Sequence, residues 1–517
     1  FGQLGFYVQD AWAATNNFRL TYGLRVDKPL YTFDAPTNNA LANVTFRDED
    51  GREEKFDVSQ WPKSRLLFSP RVGFNYDPHG NKNLIIRGGT GVFTGRIPFI
   101  WLVNQVADNG VLRSIFQLSN ATDLADIRFS KERTQYLSKI DIPEPGTSIP
   151  AGRPSYSAVA SDFKMPQVWR SNLAFDLKFA TDYTFTLEAI YTKNINNVFF
   201  RNANLGAQAG TLSNAGDNRP AYNTRLNNDI ATMIVMDNVS KGSSTALTAQ
   251  LQRAFARNWD GFIAYTYTFA QDLNIGTSDR ASSSWSTNNI VSNPNRPELG
   301  YSNFSIPHRV VANFSYKFNY LKEKLATTVG IFYSGSSQER YHFRYGGDVN
   351  GDGQTNDLLF IPSSPADINF QSTFTTGGVT YTAQQQKDAF FAFLEKNPYL
   401  RDHKGQYSER YGALLPWVHA MDLRILQDFS FDALNRKHTF QLSADVVNFL
   451  NLLNDRWGVR YRYNYGGFSD QGILGLGSNF NRSAPLYTFN PAFPKVYDID
   501  YSTNSTWGIQ LGIRYIF

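Results

Sequence analysis

The sequence predicts an all-β protein, a transmembrane antiparallel β-barrel to which this chain contributes about 13 strands. Three observations predict it. Apolar and polar residues alternate with period two over stretches of about ten residues. The connections between those stretches are short and long by turns. Aromatic residues make up 15% of the 517 residues and charged residues only 18%, below the roughly 25% charge of soluble domains. Mean hydropathy is nevertheless −0.39, and no run approaches the about 18 apolar residues of a membrane helix. Aromatic and β-branched residues are too frequent for a disordered chain.

The strands follow in order. The first starts near Phe1. Phe18, Leu20, Tyr22, Leu24 and Val26 then alternate with Arg19, Thr21, Gly23, Arg25 and Asp27. Leu66, Phe68, Val72, Phe74 and Tyr76 alternate with Ser69, Arg71, Gly73 and Asn75. A less regular strand begins near Leu84. Leu173–Phe179, Tyr183–Tyr191, Leu247–Phe255, Trp259–Phe269, Val310–Phe318 and Leu325–Tyr333 repeat the pattern. Met421–Phe431, Phe440–Val446 and Trp507–Phe517 complete it.

Short connections at Thr15–Asn17, Pro78–Asn83, Ala180–Asp182, Ala256–Asn258, Asn319–Lys324 and Asp432–His438 carry turn-forming residues. Long ones span Leu30–Ser64, Ile97–Lys164, Gly206–Ser243, Gln271–Pro307, Gly346–Leu415 and Asn451–Ser505. Compact soluble domains rarely carry so many long loops. An outer-membrane barrel has this asymmetry, with short periplasmic turns and long extracellular loops. Lipid-facing positions must be apolar, so Arg19, Arg25, Arg71, Glu188, Asp422, Arg424 and Asp445 are expected to face a wide lumen. About 13 strands, the first and last both descending, imply an odd number of strands before Phe1. The expected complete barrel has roughly 22 or 26 strands. The start at Phe1, in mid-pattern, fits the C-terminal part of a longer secreted protein.

Cysteine is absent, which excludes disulfides and thiolate chemistry. The net charge is +5, from 50 basic and 45 acidic residues, without a dense basic run. Nucleic acid is therefore not an expected partner.

The last segment places Trp507, Ile509, Leu511, Ile513, Tyr515 and Phe517 on one face. It resembles the β-signal read by the barrel-insertion machinery. FYVQDAW (Phe6–Trp12), LTYGLRVD (Leu20–Asp27), SPRVGFNYD (Ser69–Asp77) and MPQVWRSNLAFD (Met165–Asp176) occur in that order. EAIYTKNINNVFFRNANL (Glu188–Leu205), IPHRVVANFSY (Ile306–Tyr316) and GDVNGDGQTNDLLFIP (Gly347–Pro362) follow. Lys404–Phe429 and VVNFLNLLN (Val446–Asn454) close the series. The ordered set resembles the TonB-dependent outer-membrane receptors, and within them the Oar-like branch. That resemblance implies an N-terminal regulatory-like domain, a TonB box, a plug and first strands, all absent from residues 1–517. It also implies transport of a large, unidentified substrate across the outer membrane, driven by the TonB complex acting on the plug. A passive large porin and a structural or adhesive surface barrel are the alternatives.

DVNGDGQTND (Asp348–Asp357) matches the start of a calcium loop. Oxygens would come from Asp348, Asn350, Asp352, the backbone at Gln354, and Asn356. Gly353 stands at the sharp turn, and Asp357 would substitute for the missing acid at position 12, where Leu359 stands. Ca2+, in a structural role in an extracellular loop, is the one cofactor expected. Thr382–Asn397 reads as a loop helix capped by Thr382 and stopped by Pro398; its stripe of Phe390, Phe393 and Leu394 reads as packing the loop onto its neighbours, with a lid over the barrel mouth as the alternative. KGQYSERYG (Lys404–Gly412) reads as a solvated loop base or a substrate contact. The six histidines are scattered without zinc spacing, and Gly276–Ser286 has no nucleophile elbow. No enzyme is expected.

Overall fold

The computed structural model describes residues 1–112, 127–132, 135–136, 146–150, 153–213, 216–273, 278–296, 298–322, 324–433, 435–464, 472–492 and 495–517. Thirteen strands follow one another as neighbours in a single antiparallel meander. They are β1 (Gly2–Thr15), β2 (Phe18–Leu30), β3 (Leu67–Tyr76), β4 (Leu84–Thr94) and β5 (Gln167–Phe179). Next come β6 (Tyr183–Asn202), β7 (Ser243–Ala256), β8 (Trp259–Asp272), β9 (His308–Tyr320) and β10 (Leu325–Ser336). The last three are β11 (Val418–Ala433), β12 (Arg436–Val447) and β13 (Gly508–Ile516). The predicted order and the short/long rhythm of connections hold throughout. The tight turns use left-handed residues, among them Ala180, Arg257, Asn258, Leu321, Lys322 and Asn435.

Register makes one continuous apolar face. Phe6 pairs with Val26, and Val26 with Phe68. Ile86, Phe175, Leu187, Ala249, Tyr265 and Val310 form an unbroken row of partners across β4 to β9. Phe314, Ile331, Leu423, Val446 and Ile509 continue it to β13. On the opposite face Arg424 pairs with Asp445, and Glu188 lies between Ala174 and Thr248. All seven charged residues assigned to the lumen have this polar parity. Side chains such as Phe6, Leu511 and Ile513 are more than three-quarters exposed. So large an apolar surface is stable only against lipid.

Aromatic belts mark both rims. Toward the long loops, Tyr265 Oη lies 2.8 Å from His308 Nδ1 and Tyr333 Oη 2.7 Å from His419 Nδ1, with Trp417 stacked on His419. Toward the short turns, Tyr515 Oη lies 2.7 Å from His438 Nδ1, and Arg253 sits 3.7 Å over the Trp259 ring. Rings with a polar edge suit the lipid–water boundary.

The weaker alternation of β4 has a steric cause. A Cβ at Gly88 would meet the Phe74 ring at 2.9 Å and the Asn172 carbonyl at 2.9 Å. The neighbouring ring covers the glycine, so apolar cover comes from β3 instead of β4 itself.

Two differences from the sequence reading concern the loops. The strand expected at Tyr183–Tyr191 runs on to Asn202. Its upper half pairs with Thr232–Val239, which pairs in parallel with Ser155–Val159. Val198 and Phe200 are buried there, so the extension is driven by a core above the membrane. The loops fold into two such cores. One gathers Leu41, Phe46, Trp101, Tyr156, Phe200, Met233 and Trp285. The other gathers Phe343, Tyr345, Leu359, Phe390, Leu394, Leu474 and Tyr487.

Helix α1 (Ala383–Lys396) forms as predicted. Thr382 Oγ1 accepts from the Gln385 amide while the Gln385 side chain accepts from the Thr382 amide, a reciprocal cap. Phe390 and Leu394 are fully buried against Phe370 and Phe489. The apolar stripe packs the loop, as expected.

Among the described residues β1 pairs only with β2, and β13 only with β12, so the sheet they form is open along both edges.

Candidate functional site

Three places are candidates for function: the polar inner face, the Asp348–Asp357 loop, and a cavity beside the second loop core.

The inner face carries paired charges. Arg87 donates to Asp176 at 2.9 Å and to Glu188 at 3.3 Å, and Arg424 forms an ion pair with Asp445 at 3.1 Å. Arg25 holds Asp27 at 2.7 Å. Apart from Asp27, which is buried, these groups are partly exposed, and such exposed pairs add little stability. They make the face wettable.

The Asp348–Asp357 loop turns through Gly351 (φ 86°) and Gly353 (φ 90°), conformations a side chain resists. Asp348 accepts from the Gly351 amide at 2.5 Å and the Gly353 amide at 2.9 Å. Asn350 Oδ1 accepts from the Asp352 amide, and Asp352 Oδ1 from the Gln354 amide. Asp352 is 2% exposed. Burial, then the Asp357 and Asp348 charges, push its carboxyl up to about 8. Asn356 donates to the Asn288 carbonyl, and its Oδ1 is buried without a partner. Asp357 divides its oxygens: Oδ1 accepts from Arg219 Nη1 at 3.1 Å, and Oδ2 from the loop's Val349 and Asn350 amides. Among the described residues no three His, Asp or Glu side chains form a metal-holding group. A cation here would rest on Asp348 and Asp352 with amide and carbonyl oxygens, a donor set that suits calcium and no softer metal.

Arg219 is the centre of this region, and the sequence did not single it out. It is wholly buried. It donates to both oxygens of Asp217, to Asp357 and to the Leu358 carbonyl. Its guanidinium lies 5.0 Å from the Tyr345 ring and 5.3 Å from the Tyr407 ring. Its two carboxylate partners raise the guanidinium further above its ordinary value, against the opposing effect of burial.

The Lys404–Gly412 stretch is not a solvated base. Ser408 and Arg410 are buried, Ser408 Oγ accepting from the Phe343 amide and Arg410 donating to Asn288. Tyr407 Oη donates to Asp217. The alternating charges were legible, and Lys404 pairs locally with Glu395, but the partners of Arg410, namely Asn288 and the Asp272 carbonyl, lie more than a hundred residues away.

The cavity has a volume of about 1120 Å³ and lies where β10, β11 and the loop before β13 meet. Arg340, His342, Arg344, Arg460 and Arg462 line it, with Glu339 and Asp500 as the acids. Burial, then Arg344 and Arg410, hold the His342 imidazole down at about 3. It is neutral at physiological pH. The alternating RYRY of Arg460–Tyr463 was the available signal for this site.

Trp507, Ile509, Leu511, Ile513, Tyr515 and Phe517 share the lipid-facing parity of the sheet, and all six are exposed.

A family model described as "Outer membrane beta barrel domain" matches residues 1–455. No curated protein matches the chain. Among solved structures, the copper transporter OprC has 9% identity and a TM-score of 0.37, over 87% of this chain and 42% of that one. The ferric enterobactin receptor PfeA from Pseudomonas aeruginosa has 10% identity and a TM-score of 0.41, over 93% and 43%. The outer membrane transporter YddB from Escherichia coli has 11% identity and a TM-score of 0.40, over 87% and 50%. The chain thus spans half or less of the length of these proteins. The family match covers most of the sequence and coincides with the lipid-facing sheet, so this chain belongs to the outer-membrane β-barrel domain family and is integral to the outer membrane.

Proposed function

We propose that this chain is the barrel portion of a TonB-dependent receptor that moves a large substrate across the outer membrane. The observation that carries the reading is the open thirteen-strand sheet with a charged inner face beneath packed loops. A sheet of that width bounds a lumen too large for side chains alone to fill. The Oar-like sequence motifs add the energy source. In the intact protein a plug would occupy the lumen, and its TonB box would take the pull from the periplasm. The remaining strands, also outside this chain, would close the sheet, and the insertion machinery would receive the alternating β13.

Conductance tests it. Purified full-length protein in a planar bilayer is expected to show no steady open-channel current, and deletion of the plug to give a large one. A steady ohmic current from the intact protein would favour the passive porin instead.

The Asp348–Asp357 loop is proposed as a structural calcium site. The supporting observation is Asp352, buried beside Asp348 and Asp357 and forming no ion pair among the described residues. Burial and its acidic neighbours favour the protonated form of that carboxyl, and a divalent cation beside it would favour the ionised form. With one acid missing, affinity falls to about the 10⁻⁴–10⁻³ M of extracellular modules. Calcium at that level is expected to slow proteolysis of the Gly346–Leu415 loop in the full-length protein, and Asp352→Ala to remove the protection. Equal cleavage rates with calcium and with chelator would leave the motif as a glycine turn.

A further inference from the structure

We infer that the cavity between β10, β11 and the loop preceding β13 binds an acidic oligosaccharide, whose carboxylate or sulfate groups are held by Arg340, Arg344, Arg460 and Arg462. The inference names a substrate class for the receptor proposed above and rests on that reading.

Size is the first argument. The volume of about 1120 Å³ exceeds the roughly 300–1,000 Å³ of sites for drug-sized molecules. It suits several linked rings better than a lone ion.

Charge is the second. Among the described residues four arginines face two acids, Glu339 and Asp500. Among the described residues Arg340, Arg460 and Arg462 form no ion pair. Arg340 is instead 8% exposed, lies 4.3 Å over the Tyr301 ring and donates to the Tyr411 carbonyl. Arg344 donates to the Thr355 carbonyl. Guanidinium forks placed this way recognise planar or tetrahedral oxoanions through two parallel hydrogen bonds. His342 adds no charge at neutral pH, so the field of the site is arginine's and changes little between mildly acidic and neutral conditions.

The remaining wall decides what carries the anions. Asn303, Ser336, Thr355 and Asn504, none of them buried, supply hydroxyl and amide groups that both donate and accept. Tyr341, Tyr461 and Tyr463 add ring surface. A hydroxylated body matches such a wall. An acidic peptide would satisfy the arginines and leave most of these groups unmatched. The site is held open by the short pairing of Tyr461–Tyr463 with Tyr497–Ile499, and by Gln338, which bridges the Tyr461 amide and the Pro416 carbonyl.

The test is calorimetric titration of the full-length protein in detergent with trigalacturonate, a sulfated trisaccharide, neutral maltotriose and oligoglutamate. An acidic saccharide is expected to bind, to weaken with added salt, and to bind about tenfold or more weakly in the Arg460→Gln/Arg462→Gln variant. Those two side chains are exposed, and the variant is expected to keep wild-type heat-resistant migration. Equal affinity for maltotriose would overturn the assignment. So would tighter binding of oligoglutamate, which would point to an acidic peptide, or no binding of either acidic saccharide. A non-conducting barrel that ignores both would refute this assignment alone. An openly conducting barrel that binds them would refute the receptor reading alone.

Discussion

Replacing Arg219 with Met is expected to open the second loop core while leaving the membrane sheet intact. The guanidinium is fully buried and satisfies Asp217 and Asp357, which are themselves fully buried. It also takes the Leu358 carbonyl and lies against Tyr345 and Tyr407. Even with Arg219 present, burial raises the Asp357 carboxyl to about 6. Without it, two carboxylates lose their counter-charge in a low-dielectric interior. Removing one partner of a buried ion pair costs about 3–5 kcal/mol. Tyr345 is stacked on Tyr487 in the same core, so the loss spreads to the segments around residues 345, 360, 407 and 487. The core is local, and the strands below it are held by their own ladders, so the opening is sub-global. Limited proteolysis of the full-length protein should then cleave these loops about a hundredfold faster or more. Adding Asp217→Asn and Asp357→Asn should recover much of that loss, because neutralising a whole buried set is often nearly neutral in stability. A wild-type cleavage rate in the single variant would show that the loops do not depend on this network.

The barrel was legible in the sequence because lipid imposes a rule on every second residue. Leu20, Phe74, Leu173 and Leu247 each reveal their face locally, and the turns announce themselves through residues such as Asn17, Asp182 and Asn258. The loops obey no such period. Their cores are assembled from segments far apart in the chain, so Arg219 and Asp357 gave no sign that they meet. The same holds for Arg410 with Asn288, and for Phe200, which leaves the membrane and joins Trp101 at a ring distance of 5.4 Å. Helix α1 was readable because its cap and stop lie within its own segment. The calcium-like motif predicted its own turn correctly, through Gly353. That Asp357 also serves an arginine depended on a residue 138 positions away.

Residues 1–517 expressed alone are expected to yield no heat-resistant monomer. β1 offers fourteen residues and β13 nine along unpaired edges. In hydrocarbon every unpaired backbone amide or carbonyl costs several kcal/mol. Their apolar side chains make the retreat into water equally unfavourable, because Phe6, Val8, Leu511 and Ile513 stand exposed on those strands. Long, flat, apolar edges recruit any available strand, so the outcome is aggregation or edge-to-edge assembly. Curling the thirteen strands until β1 meets β13 would relieve both edges, but it breaks the strand direction. In this meander both end strands run toward the short-turn side, so their direct union would be parallel. Antiparallel closure takes an odd number of additional strands. Supplying those strands in the full-length protein should give a monomer that resists heat in detergent and migrates faster unboiled than boiled. A monodisperse, protease-resistant product from residues 1–517 alone would require the chain to close on itself through a parallel pair, and would overturn the requirement for further strands.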